Sequence, residues 1–300
     1  MDMDVHGCRS KAVSLQEARD FLKWHLQKEA LTYFGRKDPL WLERITQNWF
    51  DEDRSSDGRW VVIKSRLPRV GRVLDMAAGC GTFLISGLKA GNDVWGVEPE
   101  PWKRRYFSMR VIASEFPTKF AQRLIAGEGE RLPFCDEQFD LVTSYQTLEH
   151  VSDVAACLRE MVRVLKPGGI LYLRAPDYRS FFEPHYMLPF LPRMNKRLAA
   201  AYVSFLGRPT LGLQTLQWIT EKEVIQHLNS CRPKLKIERT GDLFAERRKE
   251  KIAQRLPKFL RKSSCLSLLN ALYELRYSLA QGVLIGRQEK QIDLWNTREE

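Results

Sequence analysis
Apolar and polar positions alternate in blocks along this chain. Short apolar runs at 72–76, 93–97, 122–126, 139–144 and 169–174 are separated by stretches of helical spacing at 81–90, 101–114 and 153–165. Short runs bounded by turn residues suit buried strands, and longer runs with a 3.6-residue period suit helices. Their alternation predicts an α/β fold whose sheet is doubly wound and mostly parallel, with right-handed crossovers. Ahead of it, residues 14–50 read as two helices anchored by Trp24, Tyr33, Phe34, Trp41, Trp49 and Phe50, with Ser14 and Glu17 spaced as a capping box. Residues 51–58 form a polar loop, and the sheet begins near residue 70.

The connection after the first strand carries chemistry. It reads VLDMAAGCGT over 73–82, and Glu98 ends the second apolar run 23 residues after Asp75. Strand, glycine loop, helix and a second strand ending in an acid form an adenosine-binding arrangement at the carboxyl edge of a parallel sheet. Gly79 and Gly81 remove side chains where backbone must approach a ligand. Glu98 is placed to accept from both ribose hydroxyls. A dinucleotide fingerprint needs a third glycine where this chain has Leu84, and a phosphate loop needs a lysine after Gly81, where Thr82 stands.

What remains, an acid on the first strand with glycines four and six residues later, resembles motif I of the class I S-adenosylmethionine-dependent methyltransferases. Ala77 stands where that motif has its first glycine. The segment GEGERLPF (127–134), leading into FDLVTS (139–144), is similar to the family's adenine-contacting stretch. LEHV (148–151) and LKPGG (165–169) are similar to its type 11 branch, and the latter is expected as a helix stop and turn. The resemblance spans roughly residues 70–176. It implies a seven-stranded Rossmann-like sheet, S-adenosylmethionine as cofactor, and binding roles for Asp75, Ala77, Gly79, Gly81, Glu98, Glu128, Gly129 and Gln146. The last two strands of such a fold pair antiparallel, and residues 234–240 and 282–287 have suitable alternation. The expected organisation is a helical extension (1–60), a cofactor-binding core (61–176), and an acceptor-side insertion, helical lid and final strands of the same domain (177–300).

Composition narrows the setting. Apolar residues make up 44% of 300, ample for a core. The six cysteines form no C-x-x-C pair, which argues against zinc or a disulfide framework and for a reducing, cytoplasmic compartment. There is no apolar leader and no run long enough to span a bilayer. No His, Asp or Glu cluster has ligand spacing, so no metal is expected. Net charge is +11, with twelve Lys/Arg against four Asp/Glu between 232 and 262. That stretch reads either as a solvated helical face or as contact with an anionic membrane surface, a phosphorylated carrier or nucleic acid. The leucine-rich stretch 243–281 reads as a lid, dimer helix or peripheral membrane element.

Methyl transfer from a sulfonium needs alignment and exclusion of water more than reactive groups. A hydroxyl acceptor also needs a base. His150, past the fourth strand, and His185, in the aromatic insertion 177–218, are the candidates; each also has a plain reading as a packed or capping histidine. SYQT (144–147) lacks the Asn/Asp-Pro-Pro-aromatic loop that holds planar amines in this superfamily, so nucleic acid is the less expected partner. The segment EPHYMLPFLP (183–192) resembles type 11 enzymes of surface glycans. O-methylation of a small-molecule or glycan hydroxyl is therefore the first expectation. A quinone or lipid-like phenol suits the same features. A nucleic-acid methyltransferase using 232–262 and a non-catalytic cofactor-binding partner subunit are the alternatives; the oligomeric state is left open.

Overall fold
The computed structural model of the chain describes residues 13–51, 59–67, 69–239 and 291–299. Helices α1 (Leu15–Phe34), α2 (Pro39–Phe50) and α3 (Arg59–Arg66) precede the sheet. Then come β1 (Val73–Met76), α4 (Thr82–Lys89), β2 (Val94–Val97), α5 (Pro101–Ala113), β3 (Leu124–Ile125), β4 (Phe139–Tyr145), α6 (Val154–Arg163) and β5 (Leu165–Pro176). A small hairpin, β6 (Phe182–Glu183) and β7 (Leu188–Pro189), is followed by α7 (Lys196–Phe205), α8 (Leu211–Gln214) and α9 (Glu221–Ser230). Among the described residues the last two strands are β8 (Leu235–Arg239) and β9 (Gln291–Arg298).

The seven-stranded sheet has the order β3-β2-β1-β4-β5-β9-β8. The first five strands are parallel, and β9 runs antiparallel to both β5 and β8. Strand order reverses between β1 and β4, where Met76 pairs with Ser144. In a doubly wound sheet the crevice beyond the carboxyl ends at such a switch point receives ligands. Successive β1 residues face opposite layers. Val73 packs with Trp60, Ile63, Leu84 and Phe107 from α3, α4 and α5, while Leu74 packs with Leu158, Met161 and Leu228 from α6 and α9.

Local chemistry starts each element. Ser14 and Glu17 form the expected capping box on α1, Asp38 caps α2 ahead of Pro39, and Asp153 caps α6. The helix-to-sheet packing that a dinucleotide site obtains from a glycine on the helix is solved here from the strand. Leu84 of α4 fills the space that Gly96 of β2 leaves; a Cβ on Gly96 would lie 2.7 Å from Leu84 Cδ2.

Several details differ from the sequence reading. Trp24 is 55% exposed; α1 instead packs through Ala18, Leu22, Leu26 and Ala30, a four-residue stripe that covers Tyr106 and Cys80. Residues 59–66, to which the sequence reading assigned no element, are a helix whose Trp60 and Ile63 enter the sheet core. LKPGG is not a free turn. Leu165 already pairs with Phe139, the ladder resumes at Leu141–Ile170, and Gly168 at φ +72° takes up the extra residues as a bulge. The last strand is Gln291–Arg298, whose Ile292 and Leu294 join the core. The expected strand at 282–287, the stretch 243–281 and most of the basic run 232–262 lie outside the described residues. Among the described residues no helix is long and apolar enough to cross a membrane.

Candidate active site
The switch point is built from the ends of β1, β2 and β4. Asp75 is 1% exposed and receives Arg59 Nη1 of α3 at 2.7 Å. The guanidinium lies over the rings of Phe83 and Tyr145, at 4.2 and 4.9 Å. Beyond Asp75 the chain turns through Ala77 (φ +55°), Gly79 (φ +57°) and Gly81 (φ +74°) into the N-terminus of α4. A Cβ on Gly81 would strike the Phe107 ring at 2.2 Å, whereas nothing lies within 4 Å of one on Gly79. Gly81 is thus required by packing and conformation, and Gly79 keeps backbone bare on the open side of the loop.

Glu98 is buried at the tip of β2. Its Oε2 accepts from Gly79 N–H at 2.8 Å, its Oε1 accepts from Glu100 N–H at 3.1 Å, and Lys103 Nζ lies 3.6 Å from Oε1. A carboxylate has about four lone-pair positions, so the two backbone hydrogen bonds leave it acceptor capacity for a ribose hydroxyl. Burial works against the Lys103 ammonium, but the neighbouring Glu98 and Glu29 carboxylates win and hold its pKa above the ordinary value. Glu29 of α1 accepts from Trp102 Nε1 at 2.9 Å, and His25 stacks on Trp102 at 4.5 Å. Helix α1 therefore walls the ribose side. A bare glycine loop, an acid with spare acceptor capacity and a helix start without a side-chain cap fit an adenosine cofactor.

Gln146 follows β4 in the left-handed region at φ +53°, and its N–H donates to the Arg174 carbonyl at 2.7 Å. Glu128 is exposed, and its backbone carbonyl accepts from Arg131 N–H at 3.3 Å in an isolated antiparallel β-bridge. Gly129 is confined: a Cβ there would lie 2.7 Å from Met76 Sδ and 2.9 Å from Cys157 Sγ. Cys80 is buried, and burial pushes its thiol well above the usual range, so it offers no thiolate.

The second half of the site follows β4 and β5. Glu149 is 0% exposed, and its backbone carbonyl accepts from Gln217 N–H at 2.6 Å. His150 comes next, its Nε2 4.0 Å from Glu149 Oε1 and its side chain 38% exposed. His185, between β6 and β7, meets it with ring centroids 4.9 Å apart at 84°. His185 Nδ1 is 2.7 Å from Oε1 of buried Glu183, whose Oε2 accepts from Tyr186 N–H at 2.6 Å. The other face of His185 stacks on Phe34 at the end of α1. Although the ring keeps 38% of its surface exposed, crowding by the protein at its inner edge, and then His185, lower the His150 pKa below the ordinary histidine value, against a hydrogen bond to the Thr215 backbone. Lys103 acts in the same direction, which ties the histidine pair electrostatically to the Glu98 corner.

Comparison with known proteins agrees with this geometry. Residues 74–173 match the family model described as a methyltransferase domain. That stretch is a class I S-adenosylmethionine-dependent methyltransferase domain of the type 11 branch. Its cofactor is S-adenosylmethionine. Among curated relatives, a demethylmenaquinone methyltransferase of Mycobacterium marinum is 34% identical over 140 residues, covering 44% of this chain and 56% of the relative. One from Roseiflexus castenholzii is 36% identical over 111 residues, covering 34% and 41%. The chain thus spans about half the length of the curated relatives it matches. Among solved structures, Haemonchus contortus phosphoethanolamine N-methyltransferase 2 has a TM-score of 0.49 at 15% identity, over 81% of this chain and 52% of that one.

In this domain the expected loop residues Asp75, Ala77, Gly79 and Gly81 and the acid Glu98 converge on one crevice. The two candidate histidines, 35 positions apart, become neighbours. Sequence reasoning missed Arg59, Lys103, Glu149 and Glu183. Glu149 and Glu183 lie inside the two segments already singled out, one and two positions from the histidines. Arg59 and Lys103 carry no local signal, because their importance rests on partners 16 and 5 residues away that only the fold defines.

Proposed function
We propose that the chain transfers a methyl group from S-adenosylmethionine to an oxygen of a small-molecule or glycan acceptor. The observation that supports this most is the histidine pair, with Glu149 and Glu183 beside it and His150 within the electrostatic reach of Lys103, the partner of Glu98. Held by Glu98 and the bare backbone of Gly79, the cofactor would supply a methyl group already activated on a sulfonium, with a neutral thioether as the leaving group. The remaining tasks fall to side chains. Glu98 and the glycine loop hold the nucleoside end, and the Arg59–Asp75 pair orders the loop. Glu183 fixes the His185 ring through Nδ1 and so sets the direction in which Nε2 is presented on the acceptor side. Phe34 closes that side against water. The basic stretch 232–262 is the proposed contact for a phosphate-bearing carrier or anionic membrane surface.

A second reading, a quinone-type acceptor, is favoured by the name the curated relatives carry. The test starts with calorimetric titration by S-adenosylmethionine, with NAD as control. It continues with labelled-methyl incorporation into glycolipid extract, demethylmenaquinone and RNA. Binding of S-adenosylmethionine alone and label in the glycolipid fraction support the first reading. Label in demethylmenaquinone replaces it by the second, and salt-sensitive labelling of RNA replaces both. Binding of neither nucleotide would sink the enzymatic reading and favour a non-catalytic partner subunit.

A further inference from the structure
We propose that Glu149, His150 and His185 are the ligands of a divalent transition-metal ion that activates the acceptor hydroxyl. The identity of the acceptor rests on the reading above; the metal site does not. One carboxylate oxygen and one nitrogen from each ring all lie within 4.8 Å of one another. Ligands on a common ion with bonds of about 2.0–2.2 Å sit roughly 3 Å apart, so side-chain rotation of about 1–1.5 Å closes the set.

The surroundings are built for such a role. Glu183, itself buried, takes Nδ1–H of His185 at 2.7 Å, which assigns the lone pair to Nε2. A carboxylate behind a ligating imidazole fixes its tautomer and orientation. Glu183 is in turn held by Tyr186 N–H at 2.6 Å and Tyr178 Oη at 3.4 Å. The other two ligands are pinned through their backbone: His150 N–H donates to the Thr147 carbonyl at 2.8 Å, and Glu149 receives Gln217 N–H. Two segments far apart in sequence, 149–150 and 183–186, therefore converge on one small volume, braced by the backbone of Gln217.

The donor set selects the ion. Two imidazoles and one carboxylate suit Zn(II), Mn(II), Fe(II) or Co(II), whereas Mg(II) and Ca(II) prefer oxygen throughout. Three protein ligands leave coordination positions for an acceptor oxygen. The ion acts as a Lewis acid: the coordinated hydroxyl releases its proton to solvent at a lower pH, with no redox change. The pair thereby activates the acceptor without either imidazole abstracting the proton directly.

The test uses the full chain stripped with EDTA. Titration with Co(II), followed by its visible d–d bands and by calorimetry, is expected to show binding of about one equivalent, displaced by Zn(II). Glu149→Gln, His150→Gln and His185→Gln are each expected to weaken Co(II) by at least tenfold, and Glu183→Gln by roughly 10–100-fold. Electron spin-echo modulation of Mn(II)-loaded wild-type protein is expected to show two imidazole nitrogens, a readout independent of whether the variants fold. Absence of Co(II) binding, affinity unchanged in the ligand variants, or no imidazole coupling would overturn the site. Titration of metal-free protein with S-adenosylmethionine separates the two ideas, since its binding tests the cofactor reading whatever the metal result.

Discussion
Glu98 serves the loop and the ligand with one carboxylate. It ties Gly79 to the end of β2 and faces the place where ribose hydroxyls are expected. Replacing Glu98 by Ala should weaken S-adenosylmethionine binding by about 2–3 kcal/mol, read by calorimetry; unchanged affinity would move the ribose elsewhere. Ala77 makes the opposite case. It stands at φ +55°, where its relatives' motif has glycine, and a side chain in that region costs roughly 1 kcal/mol. Ala77→Gly should therefore raise the thermal midpoint slightly, with a gain of up to about 1 kcal/mol offset in part by the entropy of an added glycine. A lower midpoint would mean that the alanine methyl makes a contact worth more than the strain. Both residues were legible in the sequence, because a glycine loop between two strands is a local pattern. The strain on Ala77 was not, since φ is decided by how the loop closes against Val97, whose carbonyl takes Ala78 N–H at 2.9 Å.

At the scale of elements, packing of α4 on β2 turns on the pairing of Leu84 with Gly96. Gly96→Ala places a methyl 2.7 Å from Leu84, 2.8 Å from Ala78 and 2.8 Å from Leu124. Overpacking of this kind should cost about 1–3 kcal/mol in chemical denaturation. A companion Leu84→Ala change should recover part of the loss if the leucine is the obstacle. Helix α6 is fastened to the segment 127–137 by Glu160, which accepts from Arg163 and from Leu132 N–H at 2.8 Å. The bond to Arg163 outweighs burial and holds the Glu160 carboxyl below the ordinary glutamate value. A depressed carboxylate contributes stability that is complete above its unfolded pKa and disappears as pH falls through the folded value. Glu160→Gln should thus lose about 1–2 kcal/mol at pH 7 and nothing at strongly acid pH, which flattens the acid limb of the stability curve. Equal loss at both pH values would assign the effect to shape and not charge. The core strands and helices were legible because their periods are local. The helix over 59–66 was missed because its apolar run is only four residues long, so burial of Trp60 and Ile63 in the sheet core is what identifies it.

For the whole molecule, cofactor binding should couple to unfolding. At a hundredfold excess over its Kd, S-adenosylmethionine should stabilise the chain by about 2.7 kcal/mol, visible as a rise of several degrees in the thermal midpoint, with NAD leaving it unchanged. A rise with NAD would contradict the Leu84 argument against a dinucleotide. By itself the sequence determined the sheet domain, its strand–loop–helix cofactor edge and the residues Asp75, Gly79, Gly81 and Glu98. Each of these is written in spacing along a few neighbouring residues. Tertiary structure alone decided that the sheet closes with Gln291–Arg298, that Arg59 neutralises buried Asp75, and that Glu149, His150 and His185 share one small volume. The reason is physical: these contacts join segments from 16 to 133 residues apart. They form through burial and through the reversal of strand order at the β1–β4 switch, and neither leaves a periodic trace in the chain.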